Sequence, residues 1–169
     1  YHTDFVRAGA KLSDADKATL KAMNSQLAEL GSKFSDNVLK DVNASALVID
    51  DVKQLDGFTP EQIAGAADLA KARKLEGKYV ISLLNTTGQP RESQLTWRPL
   101  RQRLHEASVK RGSHGGKFDN TAIVSRTMTL RAERAALLGY PTHAAYSLED
   151  QTARTPEAVN KMLRELAPP

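Results

Sequence analysis

The chain has 169 residues, with 40% hydrophobic, 5% aromatic and 26% charged side chains and a net charge of +4. That length suits one domain, or one domain with a subdomain, able to bury a sizeable core, and the balance is that of a globular chain rather than a disordered one. The absence of cysteine excludes a disulfide framework, a thiolate metal site and a cysteine nucleophile together.

No stretch approaches the roughly 18 apolar residues needed to cross a bilayer, so no membrane partner is expected. A cysteine-free composition is compatible with a reducing compartment. A cytoplasmic setting is therefore expected, with a periplasmic one left open. Tyr1-His2-Thr3-Asp4 is polar and has no initiator Met, so the start reads as a cut end and the lack of a targeting signal is uninformative. The positive charge is local. Residues 91–134 carry ten Arg and Lys against four Asp and Glu, a net +6, and leave about −2 for the rest. Such a stretch suits nucleic acid, anionic lipid or an acidic peptide, and the commoner alternative is a solvated helix face.

In chain order, the first strong element begins at Ser13, a capping residue followed by Asp14 and Asp16. His2 lies before it, in a start expected to fray. Leu20, Met23, Leu27, Leu30, Phe34 and Val38 then recur at helical spacing, and no Pro interrupts residues 13–43. One helix of about 28 residues, roughly 42 Å long, is the simplest reading. Gly31 weakens it by up to ~1 kcal/mol without breaking it.

Residues 46–50 (ALVID) and 78–83 (KYVISL) are β-prone and predict a small antiparallel ribbon, with a helical excursion between them. In that excursion Gly57 ends a turn. Thr59-Pro60-Glu61-Gln62 then supplies an N-cap, a proline at the first helical position and a capping-box glutamine. The helix runs on Ile63, Ala66, Ala67 and Ala70 to about Arg73.

Residues 85–93 are turn formers and read as a loop. A helix from about residue 92 or 95 to Arg111 carries Leu100, Leu104, Ala107 and Val109, with Pro99 in a first turn or at a kink between two helical pieces. Gly112-Ser113-His114-Gly115-Gly116 predicts a flexible connection. Asp119 caps the next helix, about 120–138, in which Ile123, Val124, Thr127, Met128, Arg131, Ala135 and Leu138 trace one side. Gly139 stops it, with Pro141 beyond. A short helix over 142–149 follows, and Thr155-Pro156-Glu157 opens a last one on Val159, Met162, Leu163 and Leu166.

Chemistry is scarce. Of His2, His105, His114 and His143, only His105 is followed by Glu, the first half of the helical zinc motif His-Glu-x-x-His. That motif needs a second His four residues on, where the same helix face returns to the ion, and position 109 is Val. No Gly-x-Ser-x-Gly elbow or phosphate-cradling glycine loop is present, and Gly115-Gly116-Lys117 follows no convincing strand. Asp50-Asp51 at a strand end reads as turn residues rather than an acid/base pair. Trp97 beside Arg98, with Phe118, is too little aromatic surface for a base-stacking platform. The sequence predicts no catalytic, cofactor-binding or metal-ligating residue.

Read as a string, the chain resembles the thimet oligopeptidase family of zinc peptidases, in particular its bacterial peptidyl-dipeptidase branch. The resemblance rests on ordered segments along nearly the whole chain: Leu27-x-x-Leu30-x-x-x-Phe34-Ser35-x-Asn37-Val38-Leu39, Leu55-x-Gly57-Phe58, Gly77-Lys78-Tyr79-Val80-Ile81 and Asn85-Thr86-Thr87-x-Gln89-Pro90. Arg98 to Arg103, Ala107 to Arg111, Asp119-Asn120, Leu130-Arg131-Ala132-Glu133-x-Ala135-x-Leu137-Leu138-Gly139-Tyr140 and Thr152-Ala153-x-Thr155-Pro156-Glu157 continue it. Gln151 and Pro99 depart from the family pattern at packing positions.

The resemblance implies a mainly α fold with one long N-terminal helix and a two-stranded ribbon. It implies one domain over 1–169, with 46–84 as a subdomain, cut from the channel-wall lobe of a larger enzyme that removes dipeptides from oligopeptide C-termini. Zinc would belong to the parent's catalytic domain, C-terminal to residue 169. The segment itself would be inactive, would narrow the channel to short peptides, and would partner the missing catalytic domain as part of a monomer without nucleic acid. A stand-alone helical interaction module with a basic face for nucleic acid or an acidic partner is the alternative.

Overall fold

The computed structural model describes residues 1–84 and 92–167. The fold is mainly α: among the described residues there are seven α-helices and one two-stranded antiparallel sheet. They group into two compact units, residues 33–121 and residues 1–32 with 122–169.

Helix α1 is His2–Arg7 and α2 is Asp14–Ala44, 31 residues and about 46 Å long. Ser13 starts α2 as expected: its hydroxyl accepts the Asp16 N–H at 3.1 Å and donates to the Asp16 carboxylate at 2.7 Å. The long apolar stripe is real but incompletely buried, since Leu20 is buried and Phe34 is 40% exposed.

In the unit of residues 33–121, β1 (Leu47–Ile49) pairs antiparallel with β2 (Tyr79–Ile81), Val48 opposite Val80. Between them lies α3, Pro60–Ala72, opened by the expected capping box. The Thr59 N–H donates to Gln62 Oε1 at 2.9 Å and the Gln62 N–H returns to Thr59 Oγ1 at 3.3 Å. Helix α4 is Arg98–Val109, with Pro99 in its first turn. A separate 3₁₀ turn, Glu92–Gln94, precedes it, so the helix expected from residue 92 or 95 starts at Arg98 and Pro99 makes no kink. The expected loop over 85–93 lies outside the described residues for 85–91.

One core joins these elements: Val42 from α2, Leu47, Ile49 and Ile81 from the ribbon, Ala66 from α3, and Leu100 and Leu104 from α4. Leu100 and Leu104 are a helical turn apart and both fully buried. Val109, expected on that face, is 64% exposed, because five residues on from Leu104 the helix has turned past the core. Gly57 lets residues 56–58 meet residues 94–96. Its φ is +96°, and a Cβ there would stand 1.8 Å from the Gln94 carbonyl oxygen. The Thr96 N–H donates to the Asp56 carbonyl at 3.0 Å across the same junction.

In the other unit, the expected fraying start is instead helix α1. It has no side-chain cap, and what holds it is tertiary: Arg7 reaches Glu149 at 2.7 Å and lies 4.8 Å from the Tyr146 ring centre. Helix α5, Thr121–Leu137, buries Ile123, Leu130 and Ala135. Val124 and Met128, expected inside, are 46% and 48% exposed. Ala135, on the same side of the helix further along, is buried with Ile123 as expected, so that side is covered at Ala135 and open at Val124 and Met128. Gly139, at φ +83°, ends α5, and the Tyr140 N–H reaches back to the Ala135 carbonyl at 2.9 Å. Helices α6 (His143–Leu148) and α7 (Pro156–Leu166) start at Thr142 and Thr155, each accepting an N–H three residues on. No residue of α7 is buried, and Met162, Leu163 and Leu166 are 49%, 53% and 71% exposed.

Two glycine substitutions separate these local causes. Gly57→Ala should cost about 3 kcal/mol or more, from the collision with Gln94 and the left-handed backbone. Gly31→Ala, where a Cβ meets nothing within 4 Å, should stabilise α2 by up to ~1 kcal/mol. Urea unfolding midpoints check both signs.

Candidate functional site

The polar residues of α2 recur at helical spacing too, and in the unit of residues 33–121 they face the segment after α4. Asn37, Asp41 and Asn120 are the buried polar or charged side chains among the described residues, at 8%, 5% and 2% exposure. Asn37 donates its amide to Asn120 Oδ1 at 3.0 Å, and Asn120 donates its own amide to the Phe34 carbonyl at 3.1 Å. The Asn120 N–H closes onto the Gly112 carbonyl at 2.7 Å. The Asp41 carboxylate accepts the Gly112 N–H at 2.8 Å and faces His114 Nδ1 at 3.0 Å. A carboxylate only accepts, so Nδ1 carries the proton of this bond.

The expected flexible connection at 112–116 is therefore fastened at both ends. Gly112, at φ +71°, brings its backbone to the Asp41 carboxylate, and Asp119 receives the Gly115 N–H at 2.9 Å and the Thr121 N–H at 2.8 Å. Hydrogen bonds from the Thr121 hydroxyl and N–H, with that from Gly115, hold the Asp119 carboxyl below its ordinary range. Asp119 thus does lead into α5, one residue before the helix cap. Gly116–Phe118 is a 3₁₀ turn with Lys117 5.7 Å from the Phe118 ring centre, so Gly115-Gly116-Lys117 is a tight turn and not a phosphate cradle.

Beside this seam runs an open groove of about 510 Å³ between β1 and α4. Leu47 and Val48 form one wall, and Arg103, Ala107 and Lys110 the other, with His114 at one end. Arg103 touches the Val48 carbonyl at 3.5 Å. Among the described residues neither Arg103 nor Lys110 has a carboxylate within 4.0 Å, while Glu106 accepts from Gln102 at 2.9 Å. The α4 side of the groove carries Arg103 and Lys110 against the single carboxylate of Glu106, and Leu47, Val48 and Ala107 supply apolar wall.

A second titrating cluster lies in the other unit. The Tyr140 hydroxyl donates to Glu149, which also takes Arg7; the tyrosine bond first, then Arg7, pull the Glu149 carboxyl below its ordinary value. His143 stacks near Tyr146, and its Nδ1 is buried without a partner among the described residues. Desolvation, then Arg131 and Arg134, push its pKa below the usual histidine value of 6.5.

The other sequence suspects fall apart in space. His105 is a surface residue 3.4 Å from Glu92. Asp50 pairs with Lys78 at 2.8 Å and Asp51 accepts the Lys53 N–H at 2.9 Å, which makes both turn and strand-end residues. Trp97 is 38% exposed at the start of α4. Among the described residues no group of three His, Asp or Glu could share a metal ion. No described helix is long and apolar enough to cross a membrane. The pair sequence reasoning missed is Asp41–His114, separated by 73 residues. Asn37 and Asp41 at i and i+4, beside the Phe34, Val38 and Val42 positions of α2, were the available signal.

Against known proteins, the model of peptidase family M3 matches residues 93–169. The chain is 41% identical over 167 residues to Dipeptidyl carboxypeptidase of Escherichia coli K12, covering 99% of this chain and 24% of that protein. Its counterpart in Salmonella typhimurium is 41% identical over 168 residues, 99% of this chain and 25% of that protein. Oligopeptidase A of Escherichia coli K12 is 30% identical over 168 residues, 97% of this chain and 25% of that protein. The chain spans about a quarter of the length of the curated relatives it matches.

Two outcomes follow from the seam and the buried imidazole. Asn120→Ala should cost roughly 2–3 kcal/mol, because it leaves the buried Asn37 amide without its acceptor and removes the second bond to the Phe34 carbonyl; in Asn37→Ala/Asn120→Ala the losses should be less than additive in urea titrations. His143 protonates less readily folded than unfolded. Its contribution is therefore intact above about pH 6.5 and lost as pH falls through the lowered folded value. The unfolding midpoint of the wild-type chain should drop more between about pH 7 and pH 5 than that of His143→Gln.

Proposed function

Because the chain belongs to peptidase family M3, the thimet oligopeptidase family, we propose that it is a non-catalytic segment of a peptidyl-dipeptidase that removes dipeptides from the C-termini of oligopeptides. The observation that carries the reading is the 41% identity to Dipeptidyl carboxypeptidase along 99% of the chain. The parent is proposed to work as a cytoplasmic monomer on oligopeptides.

The family implies zinc, and the donors of this chain do not fit it. The nearest pairs, His114 with Asp41 and His105 with Glu92, each bring one imidazole and one carboxylate. His114 Nδ1 is already committed as a donor. Three protein ligands are the usual minimum for a catalytic zinc, so no step is derived through the ion from these residues.

What the segment would contribute is shape and field. A helix of 31 residues, with a loop tied to it by buried hydrogen bonds, is a rigid wall, and rigidity is what excludes a folded protein from a channel while admitting a chain. The net +6 of residues 91–134 would attract the carboxylate end of a peptide.

Purified chain supplied with zinc and an oligopeptide should release no dipeptide; turnover would overturn the non-catalytic reading. In the parent enzyme, reversing the charges of Arg98, Arg101, Arg103, Lys110, Arg111 and Lys117 should weaken peptide affinity and flatten its dependence on salt. An unchanged salt dependence would remove the electrostatic role.

A further inference from the structure

We propose that the groove between β1 and α4 is a docking site for a short extended peptide ending in a free carboxylate, held at Lys110 with its backbone along β1. The choice of a peptide over other anions rests on the oligopeptide reading above; the site itself rests on the geometry of residues 33–121.

The dimensions favour an extended chain. Arg103, Ala107 and Lys110 recur on one face of α4 across two turns, about 10 Å along its axis. Three extended residues at ~3.3 Å each span the same length. The facing wall is the β1 strand, which pairs with β2 on one edge. β1 is an edge strand of a two-stranded sheet, and Arg103 reaches its Val48 carbonyl at 3.5 Å, so the strand meets the groove through its backbone. An edge-strand backbone is what a peptide pairs with when it adds to a sheet.

Charge decides what the peptide carries. Arg103 and Lys110 are exposed and, among the described residues, lack a carboxylate within 4.0 Å. Glu106 also lines the groove and accepts a hydrogen bond from Gln102, so two cations face one carboxylate there. Lys110 is a compact ammonium near the His114 end, suited to a terminal carboxylate. Arg103 stands at the other end, where it holds the strand edge. The walls between are Leu47 and Ala107, which take small apolar side chains and offer no ring on which a nucleotide base could stack.

The test uses N-acetyl-trialanine as the free acid and as the C-terminal amide, titrated into the 169-residue chain and followed by amide chemical shifts. The free acid should move the signals of Val48, Lys110 and His114 and bind roughly tenfold tighter than the amide. Its affinity should fall as salt rises from about 0.05 to 0.3 M. Lys110→Gln should reduce the acid to the affinity of the amide. Lys110 is exposed, and an unchanged melting temperature in that variant confirms that the loss is local.

Equal affinity for acid and amide, shifts confined to other residues, or no shift at about 10 mM peptide would each overturn the proposal. So would a preference that survives Lys110→Gln, or tighter and more salt-sensitive binding of single-stranded oligonucleotide at the same residues. None of these results touches the non-catalytic reading, which fails only if the chain turns over peptide with zinc.

Discussion

The unit of residues 33–121 depends on one buried polar contact: α2 and the segment after α4 meet through Asn37, Asp41 and Asn120. A buried carboxylate or carboxamide is tolerated only when its hydrogen bonds are met. Here each is met from across the seam, so the partners must arrive in one register. An apolar contact would permit sliding; Asn120, bonded through Oδ1, Nδ2 and its backbone N–H, does not. The Gly112 carbonyl and N–H are both consumed in the same closure. The loop is thereby set by α2 rather than by its own glycines.

That constraint positions the groove. His114 is held by Asp41, and Lys110 lies one turn earlier on a chain whose next fixed point is Gly112. Across the groove, β1 follows α2 within a few residues, so both walls are referred to the same helix. The basic character of the stretch is consequently not spread evenly. Arg101 is spent on the Leu95 carbonyl at 2.9 Å and Arg111 on the Ser108 hydroxyl at 2.7 Å. Arg103 and Lys110 retain their charge for solvent or ligand. A net charge counts cations; only the hydrogen-bond partners say which remain available.

Much of the fold was legible because its boundaries are chemical. Thr59-Pro60, Thr142 and Thr155-Pro156 start helices by a local bond, and Gly139 stops one by its backbone conformation, so a window of four residues suffices to find them. The ribbon was legible from two short β-prone runs. What escaped depends on distant partners. Helix α1 is six residues without a side-chain cap and is held by Arg7 against Glu149, 142 residues away. On α5 Ile123 and Ala135 of the expected side are buried while Val124 and Met128 are not, because periodicity gives a side and not what covers it along its length. The polar seam was read as two unrelated features, a motif containing Asn37 and a glycine loop containing His114. The bond that unites them joins residues 73 apart.

Helices α5 and α7 show the limit of periodicity from the other side. Both have apolar residues at helical spacing, yet α5 buries Ile123, Leu130 and Ala135 while α7 buries none. The pattern reports that a face is fit for burial; what covers it is a separate fact. Met162, Leu163 and Leu166 of α7 stay 49%, 53% and 71% exposed. The chain spans about a quarter of its relatives' length and matches them over nearly all of its own. His105 lies on the surface 3.4 Å from Glu92, His114 faces the Asp41 carboxylate at 3.0 Å, and His143 is desolvated beside Arg131 and Arg134.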